Sequence, residues 1–286
     1  MASQKVASGT TSNNTGSTGP EWGRRRLLVI LVVAIAVAVL LAGGLIRATH
    51  LAVTGFGGQE TSGGGVAMGV GEIEAGQIAR GARYRDEIAA APMLNVSGAA
   101  MFPAETVSDA LPGIEIPAGQ APGPAKIQSG FPRSPEGAIG QLAQIDVAVL
   151  QAMSLPTSRE VYWSWALPGG IGAERWWITQ SVAAFLSSTA MGEVLDSGSW
   201  VEVELAAALI KGVDGPDWVT VCVLLKVTAT YRQEAQVAVG HCERMQWAGG
   251  RWMIAPGLPP APAPSTWPGT QAANQAGWRP WITADP

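Results

Sequence analysis

The chain has 286 residues, a net charge of −4, two cysteines and two histidines. So few soft ligands leave no set from which to build a transition-metal site, and the eight basic against twelve acidic residues of the 131–258 segment argue against a nucleic-acid surface there. No Walker A loop, no GxGxxG after a strand, no HExxH and no GxSxG at an elbow occurs, so no cofactor and no metal is predicted.

Residues 1–26 are rich in Ser, Thr, Gly and Asn and read as a disordered cytoplasmic tail. Leu27 to Ile46 follow without a charge, 20 residues in all. A helix of that length spans about 30 Å, the thickness of a bilayer's hydrocarbon core. Arg24, Arg25 and Arg26 precede it and only Arg47 and His50 follow closely, which sets the N-terminus in the cytoplasm and the rest outside. Ala48-Thr49-His50 is a poor cleavage site, so the run reads as an uncleaved single-pass anchor. Arginine outnumbers lysine and alanine and glycine abound, the codon signature of a high-GC bacterial genome.

Residues 47–129 read as a flexible extracytoplasmic tether, marked by Gly63-Gly64-Gly65 and the Pro/Gly/Ala stretch from Pro112 to Pro124. One island, about Ile73 to Ala91, has weak helical character. Residues 130–258 read as the folded domain. Ser134-Pro135-Glu136 starts a helix with Ile139, Leu142, Val149, Leu150 and Met153 on one face. Pro156 is read as its end, and Thr157 to Glu160 as the capping box of a second helix that stops before Pro168. A third helix is predicted from about Ala173 to Met191. After Gly198 the period changes to two. Val201 to Leu209, Trp218 to Thr230, Ala235 to Trp247 and a strand after Gly249-Gly250 form consecutive hairpins. Residues 259–286 are a Pro/Trp-rich tail of polyproline character; its tryptophans either pack back onto the domain or form a partner-binding arm. The fold class expected is therefore α+β: a single N-terminal transmembrane helix, then a cone-like domain of three helices followed by a four-stranded antiparallel sheet.

Two features carry chemistry. Asp146 falls inside the first helix's apolar stripe, and His241 lies on the apolar face of the third strand with Val237, Val239 and Met245. A helix laid over the sheet brings them together. The pair is either a structural hydrogen bond or the acid–base centre of an enzyme or small-ligand binder; Tyr162 and Arg159 are also within the candidate set. Cys222 and Cys242 fall directly opposite one another in a hairpin centred on Arg232, on the sheet's polar face, and are predicted to form a disulfide worth about 3 kcal/mol.

This order of tail, span, tether, helices and hairpins resembles the bitopic scaffold subunits of type IV secretion and conjugation systems. The external domain resembles their nuclear-transport-factor-2-like domain. The phrases GFPRSPEGAIGQL (Gly130 to Leu142), SLPTSREVYWSWALPGG (Ser154 to Gly170) and HCERMQWAGGRWMIAPG (His241 to Gly257) resemble membrane proteins of mobile elements in high-GC Gram-positive bacteria. The resemblance implies protein–protein assembly without a cofactor or catalytic residue. Its partners would be the lipid bilayer, other membrane subunits of a transfer complex and further copies of the chain. The alternatives are an enzyme or ligand binder using Asp146 and His241, and an envelope protein unrelated to secretion.

Overall fold

A computed structural model describes residues 79–109 and 111–284. The expected tail, the span from Leu27 to Ile46 and the tether as far as residue 78 lie outside the described residues. Among those described, no helix is long and apolar enough to cross a membrane.

The frame is a three-stranded antiparallel ribbon of long strands: β4 (Trp200–Val213), β5 (Trp218–Tyr231) and β6 (Gln233–Ala248). Alternating Val and Leu on one side of β5 explain its burial, because β-branched residues suit a pleated surface packed under helices. Gly249 and Gly250, both at positive φ, turn the chain into β7 (Arg251–Ile254) and set Trp247 opposite Trp252 and Met245 opposite Ile254. Over this face lie α2 (Pro135–Ala152), α3 (Leu155–Trp165) and α4 (Trp177–Ser188). The Ser134 hydroxyl accepts from Gly137 N and caps α2, with Pro135 in its first turn. Leu142, Ile145 and Val149 of α2 are fully buried in one cluster with Val221, Val223 and Leu225 of β5. Each such side chain contributes about 1.5–3 kcal/mol. Pro156 does not end α2. That helix closes at Met153 in the left-handed conformation, and Pro156 sits in the first turn of α3, capped by Ser154.

The expected three helices followed by four antiparallel strands are not the architecture. The main sheet has six strands in the order β1-β8-β4-β5-β6-β7 and is mixed, with β1 (Ile114–Ile116) parallel to β8 (Arg279–Thr283). β8 pairs with β4 only at Ala207 and Ala208. A separate two-stranded sheet joins β2 (Ala121–Pro122) to β3 (Gln128–Ser129). Among the described residues there are five α-helices, including α1 (Ala82–Ala90) before the ribbon and α5 (Gln271–Gln275) after it.

Two segments read as linkers supply the difference. The described part of the expected tether is docked on the domain. Ile88 of α1 packs where Gly212 leaves no Cβ in the way, and Ala89 and Met101 are buried. The tail behaves likewise. Gly240 is bare because Pro264, Ala263 and Trp278 lie against it, and Trp278 is fully buried with its Nε1 donating to Pro264 O at 3.0 Å. The sheet face expected to be polar thus carries a second, smaller core of Ala207, Cys222, Leu224, Ala238, Cys242, Ala273 and Trp278.

Candidate functional site

The helix over the sheet brings Asp146 of α2 against His241 of β6. Asp146 Oδ2 lies 2.8 Å from His241 Nδ1, and the two side chains are 0 % and 5 % exposed. His241 Nε2 faces Glu243 Oε1 at 3.5 Å. Glu243 is two residues along the strand, so it projects from the same face. Its Oε1 accepts from Trp176 Nε1 at 3.1 Å and its Oε2 from the backbone N–H of Arg244 at 3.2 Å. Trp177 stacks flat on the imidazole, with ring centroids 5.1 Å apart, and Trp176 meets it edge-on. The result is an imidazole held between two carboxylates under an indole lid.

Burial alone would pull the His241 pKa down. The charge and hydrogen bond of Asp146, with a further hydrogen bond and charge from Glu243, outweigh it and push the value up to about 10. Burial pushes the Asp146 carboxyl up, and the imidazolium opposes that rise. At neutral pH His241 therefore keeps its proton, facing the carboxyl groups of Asp146 and Glu243. A ring that keeps its proton cannot accept another, which is the opposite of what a general base at neutral pH requires. Asp146 Oδ1 has no hydrogen-bond partner and is sealed from the surface. The nearest recess, lined by Tyr162, Trp176, Glu243 and Arg244 among others, has a volume of about 10 Å³, room for about one water molecule. No set of three His, Cys, Asp or Glu side chains suited to a metal occurs among the described residues.

Of the other residues singled out in sequence, Tyr162 is buried beside Trp176 and its hydroxyl accepts from Gly172 N at 2.9 Å. Arg159 is at the surface, paired with Glu174 and Glu193, and takes no part in the cluster. Glu243 and the two lid tryptophans escaped the sequence reading. Glu243 had a signal, since it breaks the apolar row of β6 two places from His241.

Cys222 and Cys242 are paired in register and disulfide-bonded, with Cα atoms 4.0 Å apart. Asp217 O accepts from Trp247 N, which fixes the odd-numbered pairs of β5 and β6 as the hydrogen-bonded ones. The cysteines therefore occupy a non-hydrogen-bonded pair, where opposed strands approach most closely. They are not on a solvated face. Both are buried under the C-terminal segment, and Met93 Sδ lies 3.6 Å from Cys242 Sγ.

A second polar cluster fastens α1 to the turn between β4 and β5. The buried Asp214 carboxylate accepts from Arg80 N, from Gly81 N at 3.1 Å and from Arg85 Nε at 2.6 Å. Burial opposes its ionisation, and these donors outweigh burial and hold its pKa below the usual value. Arg85 and Arg244 approach the Trp218 ring, each guanidinium carbon 5.5 Å from its centroid, and Arg244 also pairs with Asp86 at 2.7 Å.

Together these features define an α+β domain with a mixed sheet, one cross-strand disulfide and a sealed ionic core. Compared with models of known families, with curated proteins and with solved structures, the chain matches none.

Proposed function

We propose that the chain is a non-enzymatic, membrane-anchored assembly component of an envelope-spanning transport machine of the conjugation or type IV secretion kind. Its described domain would lie on the outer side of the membrane. The observation that carries this reading is the enclosure of the Asp146–His241 pair. The acid–base pair that a catalytic reading needs is closed on itself at 2.8 Å under Trp176 and Trp177, beside a recess of about 10 Å³, whereas a site for a small molecule needs a cavity of about 300 Å³ or more. The disulfide supports an oxidising location. The charge-free run from Leu27 to Ile46 supports the anchor.

The test is purification of the full chain from membranes in mild detergent, with native mass measurement and a cell-to-cell DNA transfer assay. The expected result is co-purification with other membrane proteins in fixed ratio, loss of transfer when the chain is deleted, and restoration by Asp146→Asn provided that variant folds. A monomer that turns over a small molecule, with the turnover lost in a folded Asp146→Asn protein, would establish the enzyme instead. A C-terminal reporter active in the cytoplasm would overturn the orientation.

A further inference from the structure

The free edge of β4 is the surface through which an assembly subunit of this architecture would take a partner. In the ribbon, the odd residues of β5 bond to β6, so Thr230, Thr228 and Lys226 bond to β4. Their partners are Trp200, Glu202 and Glu204. The intervening Val201 and Val203 therefore turn their N–H and C=O groups away from β5. β8 pairs with β4 only at Ala207 and Ala208, so no strand is paired with these outward groups among the described residues. An unpaired row of this sort is a template for another strand.

The side chains along the edge say what that strand is. Val201 and Val203 point into the core and are buried. Glu202 and Glu204 point outward and are exposed, and Trp200, 58 % exposed, stands at the start of the row. Lys226 neutralises Glu204, whereas Glu202 faces Thr228 and has no cation among the described residues. A second copy of β4 is a poor occupant. Antiparallel self-pairing about Val203 sets Glu202 against Glu204, and pairing about Glu202 sets that residue against itself; like charges directly opposed are destabilising. We propose that the β4 edge from Trp200 to Glu204 accepts an extended segment of a different subunit, with apolar residues alternating with lysine or arginine. The apolar residues continue the row of Val201 and Val203, a cation faces Glu202, and Trp200 covers the end of the added strand. The inference rests on the assembly reading and names its contact.

The probe is a short capped peptide of alternating valine and lysine, with a valine–glutamate peptide as its control. Binding to the full chain in detergent is followed by tryptophan fluorescence and checked in Trp200→Phe. The lysine peptide is expected to bind about tenfold more tightly than the glutamate peptide at low salt, the difference between an attraction and a like-charge repulsion at Glu202, and to weaken as salt rises. Glu202→Lys, which breaks no existing ion pair, should erase or reverse the preference. Val203→Pro removes an outward N–H without breaking a bond to β5 and should weaken binding about tenfold. Should that variant not fold, Glu202→Lys decides alone. Equal binding of the two peptides, no binding, an unchanged preference in Glu202→Lys, or self-association of the chain that Val203→Pro abolishes overturns the inference. If the edge proves silent while the chain still co-purifies with other membrane subunits, the edge alone is wrong. If co-purification fails as well, the assembly reading falls with it.

Discussion

Raising the pH should unlock the ionic core, and a difference measurement isolates the effect. His241 rises from an unfolded value of 6.5 to about 10 in the fold. Between those values the folded protein holds a proton that the unfolded chain has released. The resulting stability is complete below pH 6.5 and is lost as pH climbs through about 10. At about 1.4 kcal/mol per pH unit the full span amounts to about 5 kcal/mol, similar to the roughly 3–5 kcal/mol lost when one member of a buried ion pair is removed. Lys211 acts in the other direction. Burial lowers its pKa to about 8, so it adds stability above that pH, discounted because the side chain is half-exposed. Urea unfolding of the wild type and of His241→Gln, followed by tryptophan fluorescence from acid to pH 10, cancels the Lys211 contribution. The wild type should begin several kcal/mol more stable at neutral pH, equivalent to roughly 10 °C in Tm, and converge on the variant as pH rises. A constant gap between the two curves would refute the imidazolium assignment.

Three further outcomes follow from the same contacts. Alkylation of the unreduced protein should add nothing at Cys222 or Cys242 by mass spectrometry, and the double serine variant should lose about 3 kcal/mol in urea. Asp214→Asn should speed hydrogen exchange in Arg83 to Ala90 while leaving β5 protected, because the carboxylate holds α1 through Arg80, Gly81 and Arg85; acidification through the lowered pKa of Asp214 should do the same to the wild type. Trp278→Ala should cost about 3–5 kcal/mol in denaturant and expose Cys222 and Cys242 to reductant, since Trp278 belongs to their cluster.

What the sequence reveals here depends on length of pattern. The long strands announce themselves, since Val219 to Val227 alternate over many residues, and the even spacing put Cys222 opposite Cys242. β1 does not announce itself: Ile114-Glu115-Ile116 is a three-residue strand, too short for a period to show. β8 is hidden in Arg279-Pro280-Trp281, whose proline is tolerated because β1 pairs with β8 only from Trp281 onward, leaving no partner on that side of Pro280. α1 has little apolar stripe because much of its attachment is polar, through Asp214, Arg244 and the Lys211 ammonium that donates to Ala89 O at 2.7 Å. At the site, Asp146 and His241 could be paired by face and period. The tryptophans that seal them come from the break before α4, where no period exists to follow.

The burial of the disulfide beneath Trp278 has a temporal consequence. Cys242 is followed by 44 residues of chain, and α5 and β8 lie at the far end of them. During synthesis the β5–β6 hairpin can close while that end is still to come. An oxidant then has open access to both thiols. Once the last strand pairs between β1 and β4, the sulfurs pass out of reach behind Ala273 and Trp278. The C-terminal segment thus acts as a one-way latch, leaving the bond easy to make early and hard to reduce late. A chain truncated before Trp278 would oxidise normally and then remain open to reductant.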